Sequence, residues 1–265
     1  QAYIPANSIA IKNAVGTAPA FAFELGTKTV ISLPGVPREM EYLMQNFVLG
    51  YLKERYGLQE TVIKPWVIHT IFKSESSIDE LIGDLEKLSN PTVGLLAHPG
   101  QTDIRVTAKA DSAVEAENMM APVLKLIREK LGNYIYGEND TTLEEAVANI
   151  LAQNDATLTL IEVGTKGEIL ARLKKYAPER VSGEFIDGKI SVDTLKALVV
   201  DAKSQQNSTL ALGVMLISES DKQNLTQILE AADTENSQQR LYGGPPGDGQ
   251  IWTVNSALDA IRRYF

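Results

Sequence analysis

From Thr141 to the C-terminus, short apolar runs alternate with amphipathic ones, and this alternation constrains the fold more than any other feature of the sequence. Thr157–Val163, Val181–Ile186, Thr209–Ile217 and Gln239–Tyr242 have strand character, while Gly167–Tyr176, Val192–Gln205, Asp221–Ala232 and Ile251–Tyr264 fall in the helical places of the series. Such alternation predicts a three-layer α/β domain over 139–265. It opens on Thr141-Thr142-Leu143-Glu144-Glu145, where Thr141 and Glu144 have capping-box spacing.

The preceding stretch, 58–138, is different in kind. Val62–Phe72 is strand-like despite Pro65, and a helix is expected from Ser76 or Ser77 to Leu88. Asn90-Pro91 then interrupts the chain, and Thr92–Ala97 and Asp103–Ala110 flank the turn His98-Pro99-Gly100. In the second of these strands Ile104, Val106 and Ala108 alternate with polar residues, and a helix from Ser112 or Ala113 to Leu131 follows. Strand, helix, two strands and helix make a small α+β linking module, closed by a short strand and hinge at Tyr134–Asp140.

Residues 1–57, which end where the helix after Pro37 is expected to run out at Gly57, hold few elements and cannot bury a sizeable core of their own. The opening Gln1-Ala2-Tyr3-Ile4-Pro5 has no methionine and suggests the interior of a longer chain. The informative segment here is Leu33-Pro34-Gly35-Val36-Pro37-Arg38-Glu39-Met40. It joins the β-branched run Thr29–Leu33, with the character of a buried strand, to an amphipathic run carrying Met40, Leu43, Met44, Phe47, Val48 and Tyr51. Gly35 is suited to a positive φ and Pro37 to the first helical position. Amides freed at such a turn favour a phosphate or carboxylate, with Arg38 adding a charged donor, although Pro-Gly-x-Pro equally serves as a purely structural turn.

Composition narrows the function classes. The 265 residues carry a formal charge of −9 with no extended Lys/Arg cluster, so nucleic acid is not an expected partner. No apolar run approaches the roughly 20 residues that cross a bilayer, and no segment resembles a signal peptide, so a cytoplasmic location is expected. Without cysteine, thiolate zinc sites and cysteine nucleophiles are excluded. The two histidines, His69 and His98, lack ligand spacing and are expected to be structural. Glu144-Glu145 and Glu115-x-Glu117 sit where helices begin and are expected to form solvated faces. The loop Tyr242-Gly243-Gly244-Pro245-Pro246-Gly247-Asp248-Gly249 lacks a P-loop ending and is expected to be a flexible surface loop.

In combination, Ile4-Pro5, Asn13-x-Val15-Gly16-Thr17-Ala18 and Leu33–Met40 resemble the bacterial CinA proteins, the competence- and damage-inducible family. The resemblance spans nearly the whole chain. It implies that 1–57 is the C-terminal half of a molybdopterin-binding-like α/β domain, that 58–138 is the family's linking domain, and that 139–265 is its C-terminal domain. For the first domain it implies a divalent-metal-dependent pyrophosphatase acting on ADP-ribose, whose Gly-rich and Asp-rich motifs are not among these residues. For the last it implies removal of the amide from nicotinamide mononucleotide, and the assembly it implies is a homodimer.

The C-terminal domain departs from the active pattern, Glu-Ser-Cys-Thr-Gly-Gly, at three places. Here Glu162-Val163-Gly164-Thr165-Lys166-Gly167 stands in its place. The Ser, Tyr and Lys expected next have no matching spacing in Pro178–Lys189, although Ser182 and Lys189 remain, and Ser218-Glu219-Ser220-Asp221 replaces a glycine-rich loop. Amide hydrolysis through a hydroxyl requires a proton acceptor and oxyanion donors, and neither is identifiable.

These observations predict a CinA-like nucleotide-binding protein without deamidase activity. Asn13, Gly16, Thr17, Ala18, Gly35, Val36, Arg38 and Glu39 are its candidate phosphate or nucleotide contacts. Glu162, Gly164, Thr165, Lys166 and Gly167 form the degenerate C-terminal site, where backbone amides offer either an anion contact or plain helix capping. No catalytic residue or cofactor is identified. Two alternatives remain: a pyridine-nucleotide hydrolase, either an ADP-ribose pyrophosphatase completed by a preceding segment or a residual nicotinamide mononucleotide deamidase, or a non-catalytic partner-binding scaffold.

Overall fold

The computed structural model describes residues 3–58, 61–219, 222–232 and 235–265, and the chain separates into two compact units, 1–61 and 62–265. Gln1, Ala2, Ser220 and Asp221 therefore lie outside the described residues.

In the first unit, β1 (Ile9–Ile11), β2 (Ala20–Leu25) and β3 (Lys28–Ser32) form an antiparallel sheet in that order. The chain then enters α1 (Pro37–Leu43), passes through a π-helical segment (Met44–Val48) and continues as α2 (Leu49–Tyr56). Gly57, left-handed at φ 58°, ends the helix at the expected place. The core is small: Ile11, Ala20, Ala22 and Leu43, with Ile31, Leu33, Tyr42, Phe47 and Tyr51 against it. The strand expected to be buried is instead β3, an edge strand whose Val30 is 57% exposed, because only one neighbour and one helix face cover this sheet.

In the second unit, β4 (Val62–Ile71), β5 (Thr92–His98), β6 (Gln101–Ala110) and β7 (Ile135–Glu138) form an antiparallel sheet ordered β5-β6-β4-β7. Pro65 is tolerated because β7 pairs with β4 only near Ile68–Thr70, so the proline faces no partner on that side. One face packs on α3 (Glu75–Glu86) and α4 (Ala113–Leu131) through Ile68, Ile104, Val106, Ile78, Ile82, Met120 and Ile127. Helix α3 starts earlier than expected, since Ser74 rather than Ser76 or Ser77 caps it by accepting from the Ser77 amide.

The remainder is a five-stranded sheet ordered β12-β11-β10-β8-β9, with β8 (Leu158–Val163), β9 (Val181–Ile186), β10 (Leu210–Glu219), β11 (Lys222–Glu230) and β12 (Glu235–Tyr242). Strands β9, β8 and β10 are parallel; β11 and β12 are antiparallel additions. Helices α5 (Leu143–Gln153), α6 (Glu168–Lys174) and α8 (Gly249–Tyr264) cover one face, and α7 (Val192–Gln206) the other, giving three layers. Every residue of the interior strand β8 is buried, as a strand covered on both faces requires.

Where a helix is expected at Asp221–Ala232, the described residues Lys222–Glu230 form a strand. Leu225, Ile228 and Leu229 have helical spacing, but Leu225 and Leu229 pack toward α8 while Ile228 packs toward α7, so the spacing arose from two buried faces. The capping box also shifts by one residue: Thr142, not Thr141, accepts from the amide of Glu145. The loop at Tyr242–Gly249 forms a 3₁₀ turn at Pro246–Asp248, and buried Gly249 begins α8. The linking module and the three-layer part meet closely: Ile71 enters the three-layer core, Asn255 Nδ2 donates to Pro99 O at 3.0 Å, and Arg262 Nη2 donates to Asn133 O at 2.5 Å.

Candidate functional site

At the end of β8 the chain turns sharply into α6 through Gly164 (φ 78°), Lys166 (φ 58°) and Gly167 (φ 74°). A Cβ on Gly164 would lie 2.2 Å from the carbonyl oxygen of Leu216, so only glycine fits there. The turn folds back over Glu162, which is fully buried. Its carboxylate accepts from Thr165 Oγ1 at 2.7 Å, from the Ile169 amide at 3.1 Å and from the Leu170 amide at 2.7 Å. The chain thus places its own anion at the N-terminus of α6, where dipole and free amides favour negative charge. Glu162 thereby caps α6 at the amides of Ile169 and Leu170. Thr165 is likewise fully buried, and its hydroxyl points inward to Glu162. Lys166 is exposed. Ser182 stands apart: it pairs in register with Thr159 while Glu162 pairs with Phe185, and Ser182 Oγ bonds Thr159 Oγ1 at 3.0 Å. Lys189 is exposed beyond the end of β9.

In the first unit the structure joins half of the expected contacts. Asn13 Nδ2 donates to Ala18 O at 3.1 Å and to Glu39 Oε2 at 2.5 Å, while Asn13 Oδ1 accepts from the Val15 amide at 3.2 Å. The Glu39 carboxylate fills the space above Gly16, where a Cβ would come within 2.0 Å of it. Thr17, Gly35, Val36 and Arg38 are exposed and are not drawn into this cluster. Gly35 does not adopt the positive φ expected of it; Val36 caps the helix in extended geometry and Pro37 takes the first position as anticipated. Fewer amides are free than the turn suggested, because Pro37 has none and those of Glu39 and Met40 both donate to Val36 O at 3.0 Å.

A third cluster was not legible in the sequence. His69 and Asp103 are cross-strand partners on β4 and β6, and His98 reaches the same carboxylate from the end of β5. His69 Nδ1 lies 2.7 Å from Asp103 Oδ1, and His69 Nε2 lies 2.6 Å from the carbonyl oxygen of Asn139. Both ring nitrogens face acceptors, so the doubly protonated ring alone satisfies both contacts. The hydrogen bond to Asp103 accordingly raises the His69 pKa against the opposing effect of burial. His98 Nε2 stands 3.3 Å from Asp103 Oδ2, and the Tyr136 ring stacks on His69 at 5.5 Å. Burial first, then the charges of Asp103 and Glu144, pushes the Tyr136 hydroxyl upward. These groups line a cleft of about 410 Å³ that extends to Glu144 and Arg172. Glu144 is not on a solvated face: it is 6% exposed and ion-paired with Arg172. The only early signal was the alternation of β6, which puts Asp103 on the face opposite Ile104.

Because both His69 nitrogens are occupied, this cluster does not suit a metal ion, and among the described residues no group of three His, Asp or Glu side chains is placed to hold one. Among the same residues no helix is long and apolar enough to cross a membrane.

Residues 67–137 match the family model of the damage-inducible protein CinA KH domain. A competence-damage inducible protein of Clostridium botulinum (strain 657) is 40% identical over 192 residues, which are 72% of this chain and 46% of that protein. A CinA-like protein of Kosmotoga olearia is 38% identical over 192 residues, covering 72% of this chain and 45% of that protein. The chain therefore spans less than half the length of these relatives. Among solved structures, a CinA superfamily protein from Klebsiella pneumoniae aligns at 13% identity with TM-score 0.40, over 46% of this chain and 94% of that one. The molecule is a mixed α/β protein whose residues 67–137 are similar to that KH-domain model. It belongs to the CinA family of competence- and damage-inducible proteins.

Proposed function

We propose that this chain is a nucleotide-binding member of the CinA family that does not remove the amide of nicotinamide mononucleotide. One observation carries the reading: the Glu162 carboxylate is buried at the N-terminus of α6 and bound to Thr165 and two amides. A hydroxyl that is to attack a carbonyl carbon must reach substrate, and the resulting oxyanion needs donors. Thr165 is fully buried, and the amides of Ile169 and Leu170 are engaged by Glu162. The test is incubation of the protein with nicotinamide mononucleotide, following ammonia and nicotinate mononucleotide. Neither is expected above the buffer blank, and steady formation of both would overturn the proposal.

A second reading draws on the exposed turn at Gly35–Arg38 with Asn13 and Glu39 beneath it. This is one wall of a pyridine-nucleotide site in a pyrophosphatase whose other wall a preceding segment would supply. Metal-stimulated release of AMP from ADP-ribose by the longer protein supports it, and no release removes it.

We infer a cytoplasmic homodimer and assign no nucleic-acid partner. The KH-type module argues no differently, since α3 presents exposed Glu75, Asp79, Glu80, Asp84 and Glu86, which repel a phosphate backbone.

A further inference from the structure

A cavity of about 600 Å³ in the second unit has no predicted site residue in its lining; it lies between the outer strands of the five-stranded sheet, the C-terminal half of α8, and Phe72 and Tyr134 of the linking module. Its size is within the range of small-molecule sites. The charged residues lining it are Arg240, Arg263 and Asp259, so this opening in a chain of formal charge −9 is locally cationic.

Each charge is held in place. Asp259 is 5% exposed and is already neutralised by Arg262 (Nη2 to Oδ1, 2.7 Å) and by Arg263 (Nε to Oδ2, 2.6 Å). The Arg263 guanidinium lies 5.4 Å from the Tyr134 ring centroid, and Lys73 Nζ lies 4.9 Å from the same ring. Arg240 sits 5.9 Å from the Phe72 ring and donates to Gln238 Oε1 at 2.7 Å. Two guanidinium groups thus border one cavity, each paired with an aromatic ring.

Two features are hard to explain by folding alone. Gln227 is 4% exposed and lines the cavity; its Oε1 accepts from Ser256 at 3.3 Å, yet its Nε2 has no partner. A buried donor left unmatched signals a missing acceptor. Phe72 adopts φ 51°, a conformation that a bulky L-residue rarely takes, and is held by its amide bonding Gly100 O at 3.0 Å. Strain of this sort concentrates where a side chain is positioned for a ligand.

We propose that this cavity binds a small anion carrying a planar aromatic ring. The ring would stack against Phe72 or Tyr134, the anionic group would meet Arg240 and Arg263, and an acceptor on the ligand would satisfy Gln227. Two sources share this chemistry, a nucleoside monophosphate and a simple aromatic carboxylate. The proposal is independent of the β8–α6 junction, and deamidation there leaves it untouched.

The test is calorimetric titration of the whole chain with AMP, benzoate, adenosine and inorganic phosphate, repeated with Arg240→Gln and Gln227→Leu. Saturable binding of AMP or benzoate is expected, with adenosine and phosphate each weaker because each lacks half of the recognised group. Binding of AMP alone assigns the phosphate source, and binding of benzoate alone the carboxylate source. Arg240 is on an exposed edge strand, so Arg240→Gln should fold normally and weaken binding roughly tenfold. Absence of saturable binding for both AMP and benzoate overturns the proposal. So does binding that Arg240→Gln and Gln227→Leu leave unchanged, or that Arg38→Gln or Lys166→Gln abolishes.

Discussion

Two strand-to-helix turns in this chain have the same outline and opposite interiors. Between β3 and α1, Pro34–Pro37 is largely exposed, no side chain caps the helix, and the nearby Glu39 carboxylate is half-buried beside Asn13. Between β8 and α6 the chain supplies its own buried carboxylate, with three donors satisfied by it. A helix N-terminus offers an anion site only when the protein has not already filled it. Glu162 therefore occupies the N-terminus of α6, whereas at α1 no buried carboxylate does so, Pro37 has no amide, and those of Glu39 and Met40 bond Val36 O.

The contrast predicts unequal costs of mutation. Glu162→Ala leaves three buried donors without an acceptor and should destabilise the second unit by about 3–5 kcal/mol. Chemical denaturation followed by hydrogen exchange in α6 measures it, and a loss near 1 kcal/mol would mean that water readily replaces the carboxylate. Gly164→Ala should cost about 2–3 kcal/mol, since the new Cβ meets the Leu216 carbonyl at 2.2 Å and the residue keeps φ 78°. At the first turn, Glu39→Ala removes only a half-buried contact to Asn13 and should cost about 0.5–1 kcal/mol in the first unit. A larger loss there would equate the two turns and remove the distinction.

Between these extremes lies the His69 cluster. Its pKa is raised in the folded state, so its stabilisation is fully present below the unfolded value of about 6.5 and is lost as pH rises through the folded value. Melts of the wild type should lose stability across that window, and His69→Gln should flatten the dependence. A variant that keeps the wild-type slope would place the titrating group elsewhere.

Much of this architecture was legible because its periodicities are long. The alternation after Thr141 implied three layers, and Gly57 marked the end of the first helix. Strand β11 was misread because burial on both faces mixes two apolar stripes into a helix-like spacing at Leu225, Ile228 and Leu229. The candidate residues were legible in part: Asn13, Gly16 and Glu39 do come together, yet their carboxylate and the closure over Glu162 depend on contacts that no local pattern encodes. His69, Asp103 and His98 meet only through the register of three strands, which the spacing of two histidines does not reveal. At Gly164 the need for glycine arises from the neighbouring strand β10 as well as from the φ of its own turn, and the first of these no local pattern encodes.

We propose that the carboxylate of Glu162 closes the β8–α6 turn to substrate. The formation of nicotinate mononucleotide from nicotinamide mononucleotide by the whole chain, with Thr165→Ala alongside, tests this. No product is expected from either protein. Product from the wild type that disappears in Thr165→Ala would contradict it, because the buried hydroxyl would then be reaching the amide.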